Sequence, residues 1–553
     1  MTPRNATKSP AHTKGRQIDG QALDVVRRLL GDGPRHKDLL IEYLHLIQDA
    51  HGHLSAAHLA ALAAELKLSQ AEVYEVASFY AHFDVVKEGE APPAPLSLRV
   101  CQGIACEMAG ARELLSSLKD ALGGLGEAIR MQPVPCIGAC DTAPAVALGG
   151  NRIANASSSI VAQAIADNMT ESTIPPYQDF DAYRKDGGYV AIEACLSGQK
   201  TPEDILDQID ASGLRGLGGA GFPVARKWRF LLDNPKPRIV ALNADEGEPG
   251  TFKDRHCLET APHKVLEGAL IAAWTTGSAS IYIYLRDEYP HIRHILQTEI
   301  ARLEQAGLTG GIDIYLRRGA GAYVCGEETA LLESLEGKRG LPRNRPPFPA
   351  NEGLFGRPTL INNVETLAFV TDIINNGAES YLAAGRPHYY SVSGRVRDPG
   401  VKLAPAGITV NALIEDFAGG MADGHVFAGY LPGGASGGIL PAAKGDVPLD
   451  FGSLEEYGCF VGSSAVVILS DKDNIRDVVG NLTDFFAEES CGQCTPCRAG
   501  CEKLSNMIEA GDWDEGLIRE LAEAMADASI CGLGQAAANP VLSALNFFKG
   551  DLK

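Results

Sequence analysis

The segment Gly213-Leu-Arg-Gly-Leu-Gly-Gly-Ala-Gly221 is the most informative stretch of this 553-residue chain. It has the G-x-G-x-x-G spacing of dinucleotide-binding loops, but that motif follows a strand, whereas a helical pattern beginning at Thr201-Pro202 precedes Gly213. The ordinary dinucleotide-binding fold is therefore disfavoured. The glycines expose backbone amides at close range, and Pro223 begins a helix whose first amides favour an anion. A phosphate-binding loop and a tight structural loop both remain open.

Helical and strand patterns alternate on the carboxyl-terminal side of this loop. Strands are predicted at 238–242, 281–285 and 312–316, and the helical patterns between them indicate a largely parallel α/β sheet. In open sheets of this kind, ligands bind at the carboxyl ends of the strands. Polar, glycine-containing segments follow two of these strands, at 243–255 and 319–329, and a stiff proline-rich segment at 338–349 adds cations and an aromatic ring.

The composition is that of an ordinary globular chain, with 45% hydrophobic and 22% charged residues. At about 150 residues per domain, the length predicts three or four domains. The net charge of −21 repels phosphate backbones and anionic membranes, so a nucleic-acid partner is not expected. No run of about 18 apolar residues occurs, and residues 1–16 lack an apolar signal core, which predicts a flexible tail, no membrane span and a cytoplasmic location.

The amino-terminal part changes from a helical to a mixed α/β pattern at a proline-rich break at 91–95. Before the break, apolar residues recur with helical spacing. After it, a strand runs into Cys101, and the alternating pattern that follows predicts a small α/β unit with cysteines on adjacent loops. Residues 171–188 have the composition of a linker, and 389–470 has short strands separated by turns.

Most of the thirteen cysteines lie in two groups, and the first consists of the pairs Cys101-Gln-Gly-Ile-Ala-Cys106 and Cys136-Ile-Gly-Ala-Cys140. Disulfides are not expected in a reducing compartment. The C-x4-C spacing is found in 2Fe-2S ligation, whereas zinc sites more often have two residues between paired cysteines. A Rieske centre needs two histidines, and residues 83–255 contain none. A 2Fe-2S centre is predicted, with structural zinc or four buried thiols as alternatives.

The second cysteine group is Cys491-Gly-Gln-Cys494-Thr-Pro-Cys497, whose C-x2-C-x2-C spacing wraps one face of a 4Fe-4S cube. Cys501 and Cys531 compete for the fourth position. In two-cluster ferredoxins, proline follows the fourth cysteine of such a run, whereas Glu502 follows Cys501 here. We therefore predict Cys531 as the fourth ligand and Cys501 as a buried thiol on the next helix. The remaining cysteines stand alone: Cys195, Cys257, Cys325 and Cys459.

These motifs resemble those of the NADH-oxidising module shared by respiratory complex I, bidirectional NAD-linked hydrogenases and metal-dependent NAD-linked formate dehydrogenases. Residues from about 20 to 170 are similar to its thioredoxin-like 2Fe-2S subunit, and 189–545 to its flavin subunit. The resemblance implies a multidomain α/β fold with these parts: a flexible tail at 1–17, a helical lead-in and thioredoxin-like 2Fe-2S domain at 18–170, a linker at 171–188, an FMN- and NAD-binding domain at 189–388, a β-grasp (SLBB-like) module at 389–470, and a helical 4Fe-4S domain at 471–553.

The resemblance also implies which residues bind the cofactors. FMN would be held by the glycine loop and the polar segments, through Gly216, Gly218, Gly219, Lys227, Asn243, Asp245, Glu246, Tyr323, Gly326, Glu327, Asn362, Asn363 and Thr366. NAD would stack on the flavin between Phe222, Phe230 and Phe348, with Glu248 and Glu328 near its ribose and nicotinamide groups. The family likewise places the fourth ligand of the cube at Cys531.

Three positions depart from the family pattern. Leu217 stands where arginine is usual, so this position offers no cation to a phosphate. Gly247 stands where serine is more usual, between Glu246 and Glu248, and Cys501 stands where no thiol is expected.

The resemblance predicts a diaphorase subunit that exchanges hydride between NAD and FMN and single electrons between FMN and the clusters, with no acid or base residue required. Fusion of two modules argues against an ordinary complex I. The complete set of four amino-terminal cysteines favours the beta subunit of an NAD-dependent formate dehydrogenase, with a molybdenum- or tungsten-pterin site and further clusters on a partner alpha chain. The alternatives are a hydrogenase diaphorase subunit, a fused complex I subunit and, from a different class, a zinc-stapled non-enzymatic scaffold.

Overall fold

The computed structural model describes residues 16–122 and 128–552. Most of the tail predicted at 1–17 lies outside the described residues. The chain forms two compact units, one of Met1–Pro93 with Glu336–Arg339 and one of Ala94–Leu335 with Gly340–Lys553. Among the described helices, none has both the length and the apolar character needed to cross a membrane.

The first unit is mainly helical, as the apolar spacing predicts. Side chains cap three of its helices, because Asp19, Ser55 and Ser69 each accept a hydrogen bond from the first turn that follows. Its elements are α1 Gly20–Leu30, α2 Leu40–His51, β1 Leu54–Ser55, α3 Ala56–Leu66, α4 Gln70–Phe79 and β2 Val85–Val86.

The second unit begins with a small α/β region. Its elements are β3 Leu96–Cys101, α5 Ile104–Met108, α6 Ala111–Leu122, β4 Ile129–Val134, β5 Val146–Leu148, β6 Asn151–Ile153 and α7 Ser158–Ala166. The sheet order is β4-β3-β5-β6, with β3 and β4 parallel and the other pairs antiparallel. Because β3 and β4 run in the same direction, the cysteine pairs that follow them lie at the same end of the sheet.

The predicted linker at 171–188 contains a helix and is attached to the next region. The Tyr183 hydroxyl donates to the buried Glu267 carboxylate at 2.5 Å, and the Tyr189 amide donates to the same group at 2.9 Å. The helices of this stretch are α8 Phe180–Lys185, α9 Val190–Leu196 and α10 Pro202–Ser212. Thr201 caps α10 and Pro202 lies in its first turn, where the sequence predicts the start of this helix, and Asp204 completes a reciprocal capping box.

A four-stranded parallel sheet organises the central region. Its order is β10-β7-β8-β9, and the helices packed on it form the largest apolar core. The sequence predicts β7, β8 and β9 but not the short β10. The elements are α11 Val224–Leu232, β7 Arg238–Ala244, α12 Lys253–Thr260, α13 Pro262–Thr276, β8 Ser278–Leu285, α14 Pro290–Gln305, β9 Asp313–Arg318, α15 Glu328–Leu335, β10 Thr359–Asn363, α16 Val364–Asn376 and α17 Ala378–Ala383.

A five-stranded mixed sheet follows, in the stretch where short strands are predicted. Its order is β12-β11-β15-β13-β14, with β11 and β15 parallel at its centre. The elements are β11 His388–Gly394, β12 Gly400–Ala404, α18 Val410–Ala412, β13 Phe427–Leu431, β14 Leu440–Pro441 and β15 Ala465–Ser470. The carboxyl-terminal region is helical, as predicted, with α19 Ile475–Glu488, α20 Thr495–Glu509, α21 Glu515–Ala528, α22 Gly532–Ala536 and α23 Asn539–Phe547.

Candidate functional site

The structure brings the four thiols of the first cysteine group together. Cys101 ends β3, Cys106 lies on α5, and Cys136 and Cys140 lie on the loop after β4. All four are buried and free of disulfides, and the sulfurs of Cys136 and Cys140 are 3.3 Å apart. Hydrogen bonds with the thiols of Cys106 and Cys136, together with burial, raise the pKa of Cys101 well above its usual range. Four thiolates at this density need cationic metal between them, so the donor set fits an all-cysteine cluster.

Two buried arginines from the central region hold the loop that carries Cys136 and Cys140. Arg286 Nη2 donates to the Cys136 carbonyl at 2.7 Å, and Arg255 Nη1 donates to the Gly138 carbonyl at 2.7 Å. Gly138 has φ +70°, and a β-carbon there would lie 2.1 Å from the Tyr289 hydroxyl oxygen, so only glycine fits. The sequence does not predict these contacts. Only the positions of the two arginines could have indicated such contacts. Arg286 directly follows β8, and Arg255 ends the polar segment 243–255 that begins at the carboxyl end of β7.

The glycine loop lies against the carboxyl edge of the parallel sheet. Its turn is closed by the Gly216 amide, which donates to the Phe222 carbonyl at 2.9 Å, and the Leu217 amide donates to Thr366 Oγ1 at 2.9 Å. A β-carbon on Gly218 would lie 3.0 Å from the Asn363 β-carbon, so the loop approaches the end of β10 closely.

The predicted asparagines meet at the same edge. Asn243 pairs in register with Asn363 across β7 and β10, and Asn362 lies beside them. The Asn243 side chain donates to the Gly326 carbonyl at 2.9 Å, which ties the second glycine loop to the sheet. Asn363 also caps α16 by accepting from the Thr366 amide at 3.3 Å. The residues predicted to hold a flavin phosphate thus surround one cradle of backbone amides and amide side chains.

Buried carboxylates line the segment 243–255 behind this cradle. Glu246 accepts from the amides of Asp254 at 2.7 Å and Arg255 at 3.0 Å, and from the Tyr289 hydroxyl at 3.0 Å. Burial raises the pKa of Glu246 to about 7, and burial raises the pKa of Asp245 well above its usual range. The amides of Asp254 and Arg255 that bond Glu246 oppose this effect of burial.

Glu248 is connected to two other parts of the chain. Its carboxylate accepts a short hydrogen bond from the Tyr323 hydroxyl and two bonds of 2.7 Å from the Ser436 amide and hydroxyl. Ser436 lies after β13, and its carbonyl accepts from the Asn539 side chain at 2.9 Å. Ser436 is a positioning residue that sequence reasoning missed, although the glycine-rich stretch 433–438 around it offered a signal.

The aromatic residues predicted to stack against NAD are exposed. Phe222, Phe230 and Phe348 are 39%, 44% and 53% accessible. The rings of Phe222 and Phe230 are 6.2 Å apart, and the Arg226 guanidinium lies 5.7 Å and 5.4 Å from their centroids. Arg226 was not predicted. Phe222 closes the glycine loop and has its ring beside that of Phe230, whereas Phe348 lies on the separate segment 338–349. Exposed rings of this kind can stack on a planar ligand.

The two glutamates of the segment 319–329 have different surroundings. Glu327 accepts from the amides of Thr329 at 2.8 Å and Ala330 at 3.0 Å, so it caps α15. Glu328 lies 3.3 Å from Lys227 Nζ and 3.2 Å from Arg345 Nη1. Arg345 is a further residue that the sequence did not single out, although it belongs to the predicted cationic segment.

The second cysteine group surrounds the start of α20. Cys494 precedes this helix and Cys497 lies on its first turn, while Cys531 precedes α22. A β-carbon on Gly534 would lie 2.7 Å from the Cys497 β-carbon, so the start of α22 packs directly on the cysteine run. Cys501 is buried on the next turn of α20, with its sulfur 4.0 Å from that of Cys497. The geometry places both candidates for the fourth position beside the group.

Cys531 receives amide donors from two other residues, whereas Cys501 receives one, from its own amide. Burial raises the pKa of the Cys531 thiol to about 11, while the amides of Leu533 and Gly534 point at its sulfur and oppose that shift. The Gln493 amide points at Cys491 in the same way. Amide donors of this kind stabilise thiolates that bind iron. The thiols fit a 4Fe-4S cluster.

Three family models match the chain. The model of the Nuo51 FMN-binding domain matches residues 209–372, the thioredoxin-like [2Fe-2S] ferredoxin model matches 26–169, and the model of the NADH-ubiquinone oxidoreductase-F iron-sulfur binding region matches 477–553. The chain therefore has an FMN-binding domain, a thioredoxin-like 2Fe-2S domain and a 4Fe-4S region, which confirms the predicted fold class and cofactors.

Curated relatives and solved structures agree with these matches. The chain is 42% identical over 401 residues to the F subunit of NADH-quinone oxidoreductase from Aquifex aeolicus (strain VF5), an alignment that covers 68% of this chain and 90% of the relative. It is 40% identical to the F 2 subunit of the same enzyme from Rhizobium meliloti (strain 1021), with 68% and 94% covered. A chain of an NAD+-reducing [NiFe]-hydrogenase in the H2-reduced state superposes with a TM-score of 0.83 at 32% identity, covering 94% of this chain and 93% of that one.

Proposed function

Because the chain belongs to the family of NADH-oxidising flavin and iron–sulfur proteins that includes the F subunit of NADH-quinone oxidoreductase, we propose that it exchanges electrons between NAD and a partner enzyme chain. The observation that carries the proposal is the direct connection of the flavin cradle to a four-thiol centre. The segment 243–255 supplies both the wall of the cradle and Arg255, which bonds the cysteine loop. Electron transfer needs such adjacent centres, whereas a structural zinc site does not.

The cradle residues have distinct tasks in this proposal. FMN supplies the conversion between a two-electron hydride and single electrons. The glycine loop, with Gly216, Gly218 and Gly219, offers backbone amides to the flavin phosphate, and Lys227 adds a cation beside them. The end of the sheet and the second glycine loop orient the ring and its side chain through Asn243, Asp245, Glu246, Tyr323, Gly326, Glu327, Asn362, Asn363 and Thr366.

The NAD site lies on the exposed side of the cradle. Phe222, Phe230 and Phe348 offer accessible rings for stacking against the coenzyme. Glu248, fixed by Tyr323 and Ser436, and Glu328, fixed by two cations, are placed to accept hydrogen bonds from carboxamide and ribose hydroxyl groups. None of these side chains moves a proton in the reaction.

Eight cysteines are proposed as iron ligands. Cys101, Cys106, Cys136 and Cys140 hold the 2Fe-2S cluster, and Cys491, Cys494, Cys497 and Cys531 hold the 4Fe-4S cluster. Iron, zinc and flavin analysis of the purified protein tests this ligation. We expect about six iron atoms per FMN and a brown protein, because iron–sulfur clusters absorb visible light. Colourless protein that contains zinc would support the alternative of a zinc-stapled scaffold and overturn the enzyme proposal.

The identity of the partner chain is a finer question. The match along 94% of the chain with an NAD+-reducing [NiFe]-hydrogenase chain supports a hydrogenase diaphorase subunit over the formate dehydrogenase beta subunit that the sequence favours. The formate dehydrogenase assignment stays a second candidate, supported by the complete Cys101-Gln-Gly-Ile-Ala-Cys106 loop. A fused complex I subunit is the third, supported by the relatives from NADH-quinone oxidoreductases.

Metal analysis of the native complex separates these candidates. Nickel in the complex with NAD-dependent hydrogen oxidation supports the hydrogenase. Molybdenum or tungsten with formate oxidation supports the formate dehydrogenase. Reduction of a quinone by NADH, without any of these metals, supports the complex I type.

A further inference from the structure

Arg286 joins the first cysteine group to the flavin cradle. It follows β8 directly and is 5% exposed. One guanidinium nitrogen, Nη2, donates to the Cys136 carbonyl at 2.7 Å, and the other, Nη1, donates a short hydrogen bond to the Glu246 carbonyl. A single planar cation thus binds the backbone of a proposed cluster ligand and the backbone of a proposed flavin-binding residue.

The charge of Arg286 is only partly compensated. Its Nε donates to Glu288 at 3.1 Å, and the Glu288 side chain is 29% exposed, so water partly screens that carboxylate, which offsets part of the guanidinium charge. The other groups facing the guanidinium are Asp245 and Glu489, and the Tyr289 ring, 5.0 Å from it. Burial raises the pKa of Asp245 well above its usual range and the pKa of Glu489 to about 7. Burial thus disfavours the charged forms of both carboxyls, which leaves the guanidinium charge only partly offset.

Arg255 provides an internal comparison. It also donates to the cysteine loop, at the Gly138 carbonyl, but its guanidinium lies 2.6 Å from the Asp141 carboxylate and 3.5 Å from that of Glu259. Two carboxylates offset its single charge. Of the two arginines that bond this loop, Arg286 is therefore the one with net positive charge to act on the centre.

We propose that Arg286 is a positioning residue that raises the reduction potential of the 2Fe-2S cluster and fixes that cluster to the flavin-binding loop. Reduction adds one electron, which NADH supplies through the flavin, and the added negative charge is stabilised by a buried cation close to it. The bond to the Glu246 carbonyl keeps that cation in place. This inference rests on the proposed ligation by Cys101, Cys106, Cys136 and Cys140.

Potentiometric titration followed by electron paramagnetic resonance (EPR) tests this role in the purified holoprotein. In Arg286→Met, we expect the ratio of reduced to oxidised 2Fe-2S cluster at a fixed potential to fall about tenfold, which is about 59 mV for a one-electron couple. The 4Fe-4S signal in the same sample is the internal control and should keep its midpoint. A 2Fe-2S midpoint equal to that of the parent, with the cluster loaded, would overturn the proposal.

Two further variants keep the test decisive if Arg286→Met fails to load the cluster. Glu288→Gln removes the screened carboxylate and leaves both carbonyl bonds, so the 2Fe-2S midpoint should rise. Arg286→Lys keeps the charge, so its midpoint should stay close to the parent value. A Glu288→Gln midpoint that is unchanged or lower contradicts the electrostatic role. Absence of any 2Fe-2S signal in the parent would instead contradict the ligation itself.

Discussion

Glu328 has two cationic partners, Lys227 and Arg345, and they determine what its removal should do. Its carboxylate can accept a hydrogen bond from a ribose hydroxyl, but it repels a 2′-phosphate. Glu328→Gln removes that repulsion and releases both cations for the phosphate. We expect the preference for NAD over NADP in kcat/KM to narrow about tenfold, or about 1.4 kcal/mol.

Steady-state kinetics with both coenzymes measure this change. Glu304→Gln, an exposed position on α14, is the matched control and should keep the parent preference. Equal efficiency with NAD and NADP in the parent would remove the basis for the role of Glu328.

The choice between Cys531 and Cys501 gives a second residue-scale prediction. Cys531 receives amide donors from Leu533 and Gly534, whereas Cys501 lies one helical turn beyond Cys497. Cys531→Ser should therefore remove or destabilise the 4Fe-4S cluster, and Cys501→Ser should leave it intact. EPR of the reduced variants measures the cluster. Loss of its signal in Cys501→Ser and retention in Cys531→Ser would reverse the assignment.

Single residues also show where sequence reasoning stops. The cysteines and the asparagines could be predicted, because their spacing or their place after a strand carries information. Arg286 and Ser436 could not, because their partners are 150 and 188 residues away in the chain. A residue that acts by bonding a distant backbone carbonyl or carboxylate leaves no local pattern.

At the scale of elements, Glu259 joins α12, α14 and β6. Its Oε1 lies 2.6 Å from His291 Nε2 and 3.3 Å from Arg152 Nη2. Burial acts to raise the pKa of Glu259, but the hydrogen bond with His291 and the charges of Arg255 and Arg152 lower it to about 2. Since this folded pKa lies below the ordinary value, the carboxylate stabilises the junction fully above about pH 4.5, and the contribution is lost as pH falls towards 2.

Glu259→Gln should therefore weaken the junction by on the order of 1–3 kcal/mol at neutral pH, and the difference from the parent should shrink as the pH falls from about 4.5 towards 2. Hydrogen–deuterium exchange in α12 and β6, compared with the Glu304→Gln control, measures the loss of protection. A difference that is the same at about pH 2.5 as at neutral pH would contradict the assignment to the ionised carboxylate.

The elements themselves were predictable where their patterns are long. The capping box at Thr201 fixes the start of α10, and the apolar runs of β7 and β8 mark buried parallel strands. The sequence did not predict β10, because Thr359–Asn363 is only five residues long and leads directly into α16. Its pairing with β7 is a long-range contact, which a local pattern does not encode.

At the scale of the molecule, the two clusters are expected to have different tasks. The cysteines of the 4Fe-4S cluster follow the flavin region in the chain, while the 2Fe-2S domain precedes residues 171–188. We predict that the 4Fe-4S cluster is the exit to the partner and that the 2Fe-2S cluster is a side acceptor. Cys101→Ser should retain FMN, reduce an artificial dye with NADH at a near-normal rate and still couple the partner's substrate to NAD.

The matched variant for that experiment is Cys494→Ser. Loss of the 4Fe-4S cluster should spare the dye reaction, because the flavin can reduce small acceptors directly, but it should abolish coupling to the partner. If Cys101→Ser abolishes coupling while FMN and the 4Fe-4S cluster remain present, the route to the partner runs through the 2Fe-2S cluster.

The cofactor classes could be predicted for the whole molecule, because each class has its own motif in its own stretch of sequence. The identity of the proposed partner could not, since the cofactor motifs of this chain are shared by relatives from different enzymes. The packing of the 2Fe-2S domain against the carboxyl-terminal helices also could not, because it depends on bonds such as that from Asn481 on α19 to the Gln102 carbonyl, 379 residues apart.

In the proposed function, NADH delivers electrons through one chain to two different iron–sulfur clusters. An anaerobic NADH titration of the purified protein, followed by visible absorption and EPR, measures this delivery. We predict bleaching of the flavin and the appearance of two distinct signals, one from a 2Fe-2S and one from a 4Fe-4S cluster, in proportion to the NADH added. A protein with full iron and FMN content whose clusters are reduced by dithionite, yet stay oxidised with excess NADH, would contradict the proposed function.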